Sequence, residues 1–83
     1  MKRVIIIESQ SGDWEILYID GKEITQNHSI GEGNKLYMLK KAEEYNFTID
    51  DVIIYTAKDE DEDDLRYNGN FPYSYSDLKG VYI

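Results

Sequence analysis

The first apolar residues of the chain form one dense block. Val4-Ile5-Ile6-Ile7 are four consecutive β-branched positions. An unbroken run of this kind marks a strand covered on both faces, because alternation disappears when neither side meets water. Ser9-Gln10-Ser11-Gly12 interrupts it with turn-forming residues, and DWEILYI resumes as a second strand. Asp20-Gly21 follows, the dipeptide suited to a two-residue type I′ hairpin. A turn there pairs Ile19 with Lys22 and Leu17 with Ile24, and gathers Trp14, Ile16 and Tyr18 on the other face with Glu23 and Thr25. Residues 3–27 thus read as a three-stranded antiparallel meander.

HSIGEGN then breaks the pattern. The spacing that follows predicts a helix over 35–45 with Asn34 as its N-cap. Leu36, Met38, Leu39, Ala42 and Tyr45 gather on one broad side of it, opposite Lys40, Lys41 and Glu44, with Glu43 at the margin. Asn46 suits a left-handed C-cap. Residues 51–57 read as a later strand. Farther on, Asn68-Gly69 marks a turn, Pro72 opposes a central strand, and the tail YSYSDLKGVYI fits either a short edge strand or one helical turn. The expected architecture is α+β: an antiparallel β-sheet, made of the N-terminal meander plus at least one later strand, with one main α-helix packed on one face.

Size and charge narrow the reading. A chain of 83 residues is one domain, and a domain this small buries only about 60–65% of the surface its unfolded chain exposes. It has no cysteine to staple it. Nine Lys and Arg stand against 17 Asp and Glu, a formal net charge of −8. Such a charge repels nucleic acid and anionic membranes and favours basic protein surfaces as partners. An apolar content of 41%, with eight tyrosines, argues against disorder. No apolar stretch approaches the length of a signal-peptide core or a membrane span, so the expectation is a soluble, cytoplasmic protein.

Candidate chemistry is sparse. His28 is the single histidine and the chain has no cysteine, which together exclude Cys–His catalysis and most zinc sites. Gly31-Glu32-Gly33 lacks the remainder of a phosphate-binding fingerprint. A calcium loop starting at Asp59 would need glycine at its sixth position and glutamate at its twelfth, where Asp64 and Asn70 stand. The expectation is a protein that is not an enzyme and carries no cofactor.

The most unusual stretch is Lys58 followed by six acids, Asp59, Glu60, Asp61, Glu62, Asp63 and Asp64. Runs of like charge usually belong to solvated loops. Here the run lies between two ordered-looking segments and is flanked by Tyr55, Tyr67, Phe71, Tyr73 and Tyr75. Tyrosine gives large contact area at low rotamer cost, and acid steers association. An extended acidic segment advances about 3.3 Å per residue, close to the spacing of about 3.4 Å per charge along one strand of B-DNA. The candidate binding residues are therefore the six acids, extended by Glu43, Glu44, Asp50 and Asp51, with Tyr67, Phe71 and Tyr73 adding contact area.

In size, acidity and hairpin-rich opening the chain resembles small phage-encoded proteins that disable host machinery, among them anti-CRISPR, anti-restriction and nucleoid-protein inhibitors that act as DNA mimics. The stretch DWEILYIDGKEITQNHSI also looks like the opening of small phage and bacterial proteins with a W-x-x-L-Y-[IV]-[DN]-G-K hairpin followed by H-S. The first resemblance implies an inhibitor that occupies the basic surface of a host nucleic-acid-binding protein, within a bacterial host cell. The alternative is an acidic adaptor or regulatory module that binds through its sheet face and tyrosines. A divalent-cation binder is a third class. A small core and an open edge strand leave room for a homodimer.

Overall fold

The computed structural model describes residues 3–28 and 35–82. The expected 31–33 glycine turn and the Asn34 cap lie outside them. Strands β1 (Val4–Glu8), β2 (Glu15–Ile19) and β3 (Lys22–Asn27) are followed by helix α1 (Lys35–Tyr45), strand β4 (Val52–Thr56) and helix α2 (Asp59–Asn68). Short 3₁₀ turns occupy Ile49–Asp51 and Tyr75–Asp77. The fold is α+β, with one four-stranded sheet in the order β3-β2-β1-β4.

The meander forms as its sequence predicts. Asp20 and Gly21 have φ of 52° and 84°, the two positive values that a type I′ turn requires, and Ile19 pairs with Lys22. The register then slips: Leu17 pairs with Thr25 rather than with Ile24, because the ladder is irregular between Leu17 and Tyr18. A β-bulge of this kind puts one more residue on β3 than on β2, so Ile24 still reaches the apolar cluster containing Leu17 and Ile19. Gln26, now opposite Ile16, is placed on the other face.

Two expectations about the sheet are corrected. It is mixed rather than antiparallel, since β4 runs parallel to β1 with Val4 beside Val52 and Ile7 beside Tyr55. A connection that includes a helix permits this crossover. It gives β1 a neighbour at both edges, in keeping with Val4, Ile5, Ile6 and Ile7 all being 2% exposed or less. The helices also number two among the described residues, and they lie on opposite faces of the sheet.

On one face, Met38 of α1 joins Val4, Ile6, Leu17 and Ile19, with Tyr37, Tyr45, Phe47 and Val52 around them. Helix α1 has the expected bounds, and Asn46 at φ 60° terminates it. Its packed side differs from expectation. Met38 and Tyr45, seven residues apart, define the buried stripe, and Leu36 and Leu39 fall roughly 100–160° around the helix from it; they are 65% and 55% exposed. Two tyrosine rings supply the contact area instead, and Lys41 Nζ sits 5.5 Å and 5.7 Å from the ring centres of Tyr37 and Tyr45.

The other face carries Ile5, Ile7, Ile16, Tyr18, Ala57, Leu65 and Phe71, flanked by Trp14, Tyr55, Tyr75, Leu78 and Tyr82. The tail after α2 therefore supplies Phe71, Tyr75, Leu78 and Tyr82 to this core. Gln26 fastens it, accepting from Phe71 N–H at 2.8 Å and donating to Phe71 C=O at 3.1 Å. Tyr18 OH donates to Pro72 C=O at 2.6 Å. Residues 73–75 then run beside β3, with Glu23 N–H donating to Tyr73 C=O and Tyr75 N–H to Gly21 C=O. The tail thus combines the two forms left open by its sequence, a bridge between Lys22 and Ser74 and a 3₁₀ turn.

Candidate protein-binding surface

The six acids open a helix. Asp59, Glu60, Asp61 and Glu62 form the first turn of α2, where unpaired backbone N–H groups and the positive end of the helix dipole favour negative charge. Arg66 sits in the last turn, and Gly69 at φ 80° is the left-handed cap that ends the helix, its N–H bonded to Leu65 C=O. Apolar periodicity missed this element because, of its three buried residues Asp61, Glu62 and Leu65, only one is apolar. Acids at the start, a base at the end and glycine beyond it were the signals available.

The helical form corrects the extended ridge. Successive residues rise about 1.5 Å along a helix rather than about 3.3 Å along a strand, so the correspondence with phosphate spacing is absent. Helical geometry also divides the acids. Asp61 is 1% exposed and Glu62 6%. Asp61 Oδ1 accepts from Lys79 N–H at 2.7 Å, and Oδ2 accepts from Gly80 N–H at 3.0 Å and Tyr82 OH at 2.6 Å. Glu62 Oε1 accepts from Gln10 N–H at 2.7 Å, with Arg66 Nε 3.9 Å from Oε2. Asp64 is half-buried and paired with Lys79 Nζ at 3.0 Å, which raises the Lys79 pKa through that hydrogen bond. Asp61 and Asp64 hold the tail to the helix, and Glu62 holds the β1–β2 turn to it.

Tyr82 completes this cluster. Its hydroxyl donates to Asp61 and accepts from Lys58 N–H at 2.8 Å. Burial, and then the hydrogen bond to Asp61, push its pKa well above the ordinary phenol value. Gly80 makes the close approach possible: a Cβ there would stand 2.6 Å from Lys58 Cγ and 2.9 Å from Asp61 Oδ2. Gln10, Gln26 and Tyr82, none of them singled out by composition or spacing, prove central to how this face is built.

Asp59, Glu60 and Asp63 remain exposed. Asp59 accepts from Gln10 Nε2 at 2.8 Å, drawing it toward the end of β1. One turn and two turns along from Asp59 stand Asp63 and Tyr67 on the same side of the helix, and Tyr67 is 91% exposed. The other candidates disperse. Phe71 is 1% exposed and belongs to the core, out of reach of a partner. Tyr73 is 77% exposed. Glu43 and Glu44 are exposed on α1, Glu44 paired with Lys41 at 3.1 Å. Asp50 and Asp51 lie in the 3₁₀ turn at the start of β4, with α2 beginning beyond its far end, and Asp51 accepts from Thr48 Oγ1 at 2.8 Å. The acids therefore form separate groups.

His28 is exposed, donates from Nδ1 to Asp13 C=O at 3.0 Å and meets the Trp14 ring edge-on at 5.0 Å, a local contact at the strand end. Among the described residues no group of three or more His, Cys, Asp or Glu is arranged to hold a metal ion. A shallow depression of about 530 Å³ lies beside the start of α2, lined by Gln10, Thr56, Lys58, Asp59, Glu60 and Val81 among others. No helix among the described residues is long and apolar enough to cross a membrane. Comparison with protein-family models, curated proteins and solved structures finds no match for the chain.

Proposed function

We propose that the chain is a non-catalytic acidic binding protein that docks the solvent side of α2 on a basic protein surface. The nucleic-acid-binding groove of a bacterial host protein is the target class its charge fits best. The observation that carries this reading is the pairing of Asp59, Glu60 and Asp63 with a tyrosine 91% exposed on one short helix. Acid steers the encounter, and the ring supplies contact area at its end. A net charge of −8 keeps the protein off nucleic acid itself. Occlusion of the groove is the mechanism, with no match to the spacing of phosphates along a strand.

The test is capture from bacterial lysate at about 50 mM salt, where exposed charges are weakly screened, using the wild type and an Asp59→Asn/Glu60→Gln/Asp63→Asn variant. The expected result is a nucleic-acid-binding protein recovered by the wild type alone, released as salt rises, and displaced from its own DNA or RNA by the wild-type chain. Equal recovery by both proteins would overturn the proposal, as would capture indifferent to salt.

The adaptor reading keeps one supporting observation. Each face of the sheet carries a helix, but Tyr67 and Tyr73 stand 91% and 77% exposed. It predicts that Tyr67→Ala/Tyr73→Ala abolishes capture while the acid variant retains it.

A further inference from the structure

The two edges of the sheet are treated differently. On β3, residues 73–75 cover the edge through the Glu23–Tyr73 and Tyr75–Gly21 backbone bonds and the Lys22–Ser74 bridge. On β4, no strand among the described residues pairs with the outer edge. Ala57 N–H donates to Glu8 C=O of β1 at 2.8 Å. Backbone polar groups alternate sides along a strand, so Tyr55 and Ile53 also turn theirs toward β1, and Val52, Ile54 and Thr56 turn theirs outward. Val52 N–H is taken by Ile49 C=O. The N–H groups of Ile54 and Thr56 and the C=O groups of Val52, Ile54 and Thr56 are left facing out.

An edge of this kind is ordinarily guarded by charge, proline or a bulge. The β4 sequence VIIYT contains no charge and no proline, and its pairing with β1 has no register shift. Ile53 and Ile54 are 47% and 41% exposed. They belong to opposite faces, since Ile53 lies beside Ile5 and Ile54 beside Ile6.

We infer that β4 is a self-association edge: a second copy of this chain adds its own β4 antiparallel to it, about a two-fold axis at Ile54, joining two sheets into one. Three features favour a second copy over another occupant. The register centred on Ile54 is the one that overlaps the whole strand. In it Ile54 exchanges both backbone bonds with its copy, and each Thr56 N–H donates to the other copy's Val52 C=O. Ile53 comes opposite Tyr55, a β-branched–aromatic pair of the kind that stabilises antiparallel neighbours. At the strand ends the antiparallel arrangement brings the 3₁₀ turn of one copy, with Asp50 and Asp51, to the same end of the junction as Lys58 of the other, so opposite charges gather where the strands leave the sheet. The Gln10–Asp59 bond draws the next acid toward β1 and away from the junction.

An interface built on one short strand falls at the small end of protein interfaces, and two chains of net charge −8 repel. The dimer is therefore weak and strengthens with salt, the opposite sign to the salt dependence of the acidic docking surface.

Sedimentation equilibrium of the wild type from about 5 μM to about 1 mM, in about 0.05 M and about 0.5 M salt, reads the association directly. The expected result is a mass rising from 9.7 kDa toward twice that value, more steeply at high salt. Ile54→Lys places two like charges across the axis and should weaken association by about tenfold or more. The chain has no cysteine, so an introduced thiol is a clean reporter: Ile54→Cys should crosslink under mild oxidation far faster than Tyr67→Cys, and stay folded by circular dichroism. A wild type monomeric at every concentration, an Ile54→Lys variant that dimerises equally well, or equal crosslinking from both thiols would overturn the inference. If Ile54→Lys does not fold, wild-type mass and relative crosslinking rates decide it.

Discussion

Asp61→Ala tests the division of labour within the acidic segment. The substitution removes a carboxylate 1% exposed that accepts from Lys79 N–H, Gly80 N–H and Tyr82 OH. Each donor stranded without water costs about 1–3 kcal/mol. The tail can shift enough to wet some of them, so the expected loss is about 3 kcal/mol, below the simple sum. That is a large share of the roughly 4–12 kcal/mol expected for a domain of this length. The control is Asp63→Ala, two residues away with the same formal charge but exposed, for which a change within about 0.5 kcal/mol is expected. Urea denaturation followed by Trp14 fluorescence and far-UV circular dichroism gives both values. Thermal unfolding should show the Asp61 variant melting about 10 °C lower or more. If the two variants fall within about 0.5 kcal/mol of one another, the buried carboxylate does not hold the tail and the explanation of the acidic run is wrong.

Two further outcomes concern the same clasp. Tyr18 and Tyr82 both have raised pKa values, from burial first. A proton held more tightly in the folded state gives stability that is whole below the unfolded phenol value of about 10 and lost as pH rises through the higher folded value. Unfolding free energy should therefore fall above about pH 10, and Tyr82→Phe should lower stability by about 1–2 kcal/mol at neutral pH while flattening that alkaline slope; an unchanged slope would refute the assignment. Gly80→Ala forces a methyl group against Lys58 Cβ at 2.7 Å and should cost about 1–3 kcal/mol by urea titration, whereas an unchanged midpoint would show that the tail has room to yield.

What could be read in advance was local. Ile19, Asp20, Gly21 and Lys22 carry their turn in their own backbone preferences, and the bounds of α1 followed from an apolar spacing closed by Asn46. What escaped depended on distant partners. Nothing near Val52–Thr56 says that this strand lies parallel to β1; the demand comes from Val4–Ile7, which need neighbours on both sides. The bulge opposite Leu17 is compensated by Gln26 reaching Phe71, a contact between residues 45 positions apart. Helix α2 was hidden because its inward side is made of carboxylates, whose burial is favourable only once Gln10, Lys79, Gly80 and Tyr82 supply donors. For the candidate surface, composition located the acids and tyrosines, but helical geometry decided that Asp59, Glu60, Asp63 and Tyr67 face water while Asp61 and Glu62 do not, and the tail's bonds to Gln26 carried Phe71 into the core.

The clasp at Asp61 also bears on the order of events during synthesis. A ribosome releases the chain from its N-terminus, so the β1–β2–β3 meander emerges early with one edge of β1 bare. That edge waits for β4, and the face beneath α2 waits for Phe71. Asp61 emerges still later than β4 but remains without its donors until residues 79–82 have left the exit tunnel. Until then Asp61 is stabilised only by water, and its burial beneath the tail is unfavourable. The last donors to arrive set the moment at which the domain closes, and a released chain truncated before Lys79 should be open to proteolysis along α2.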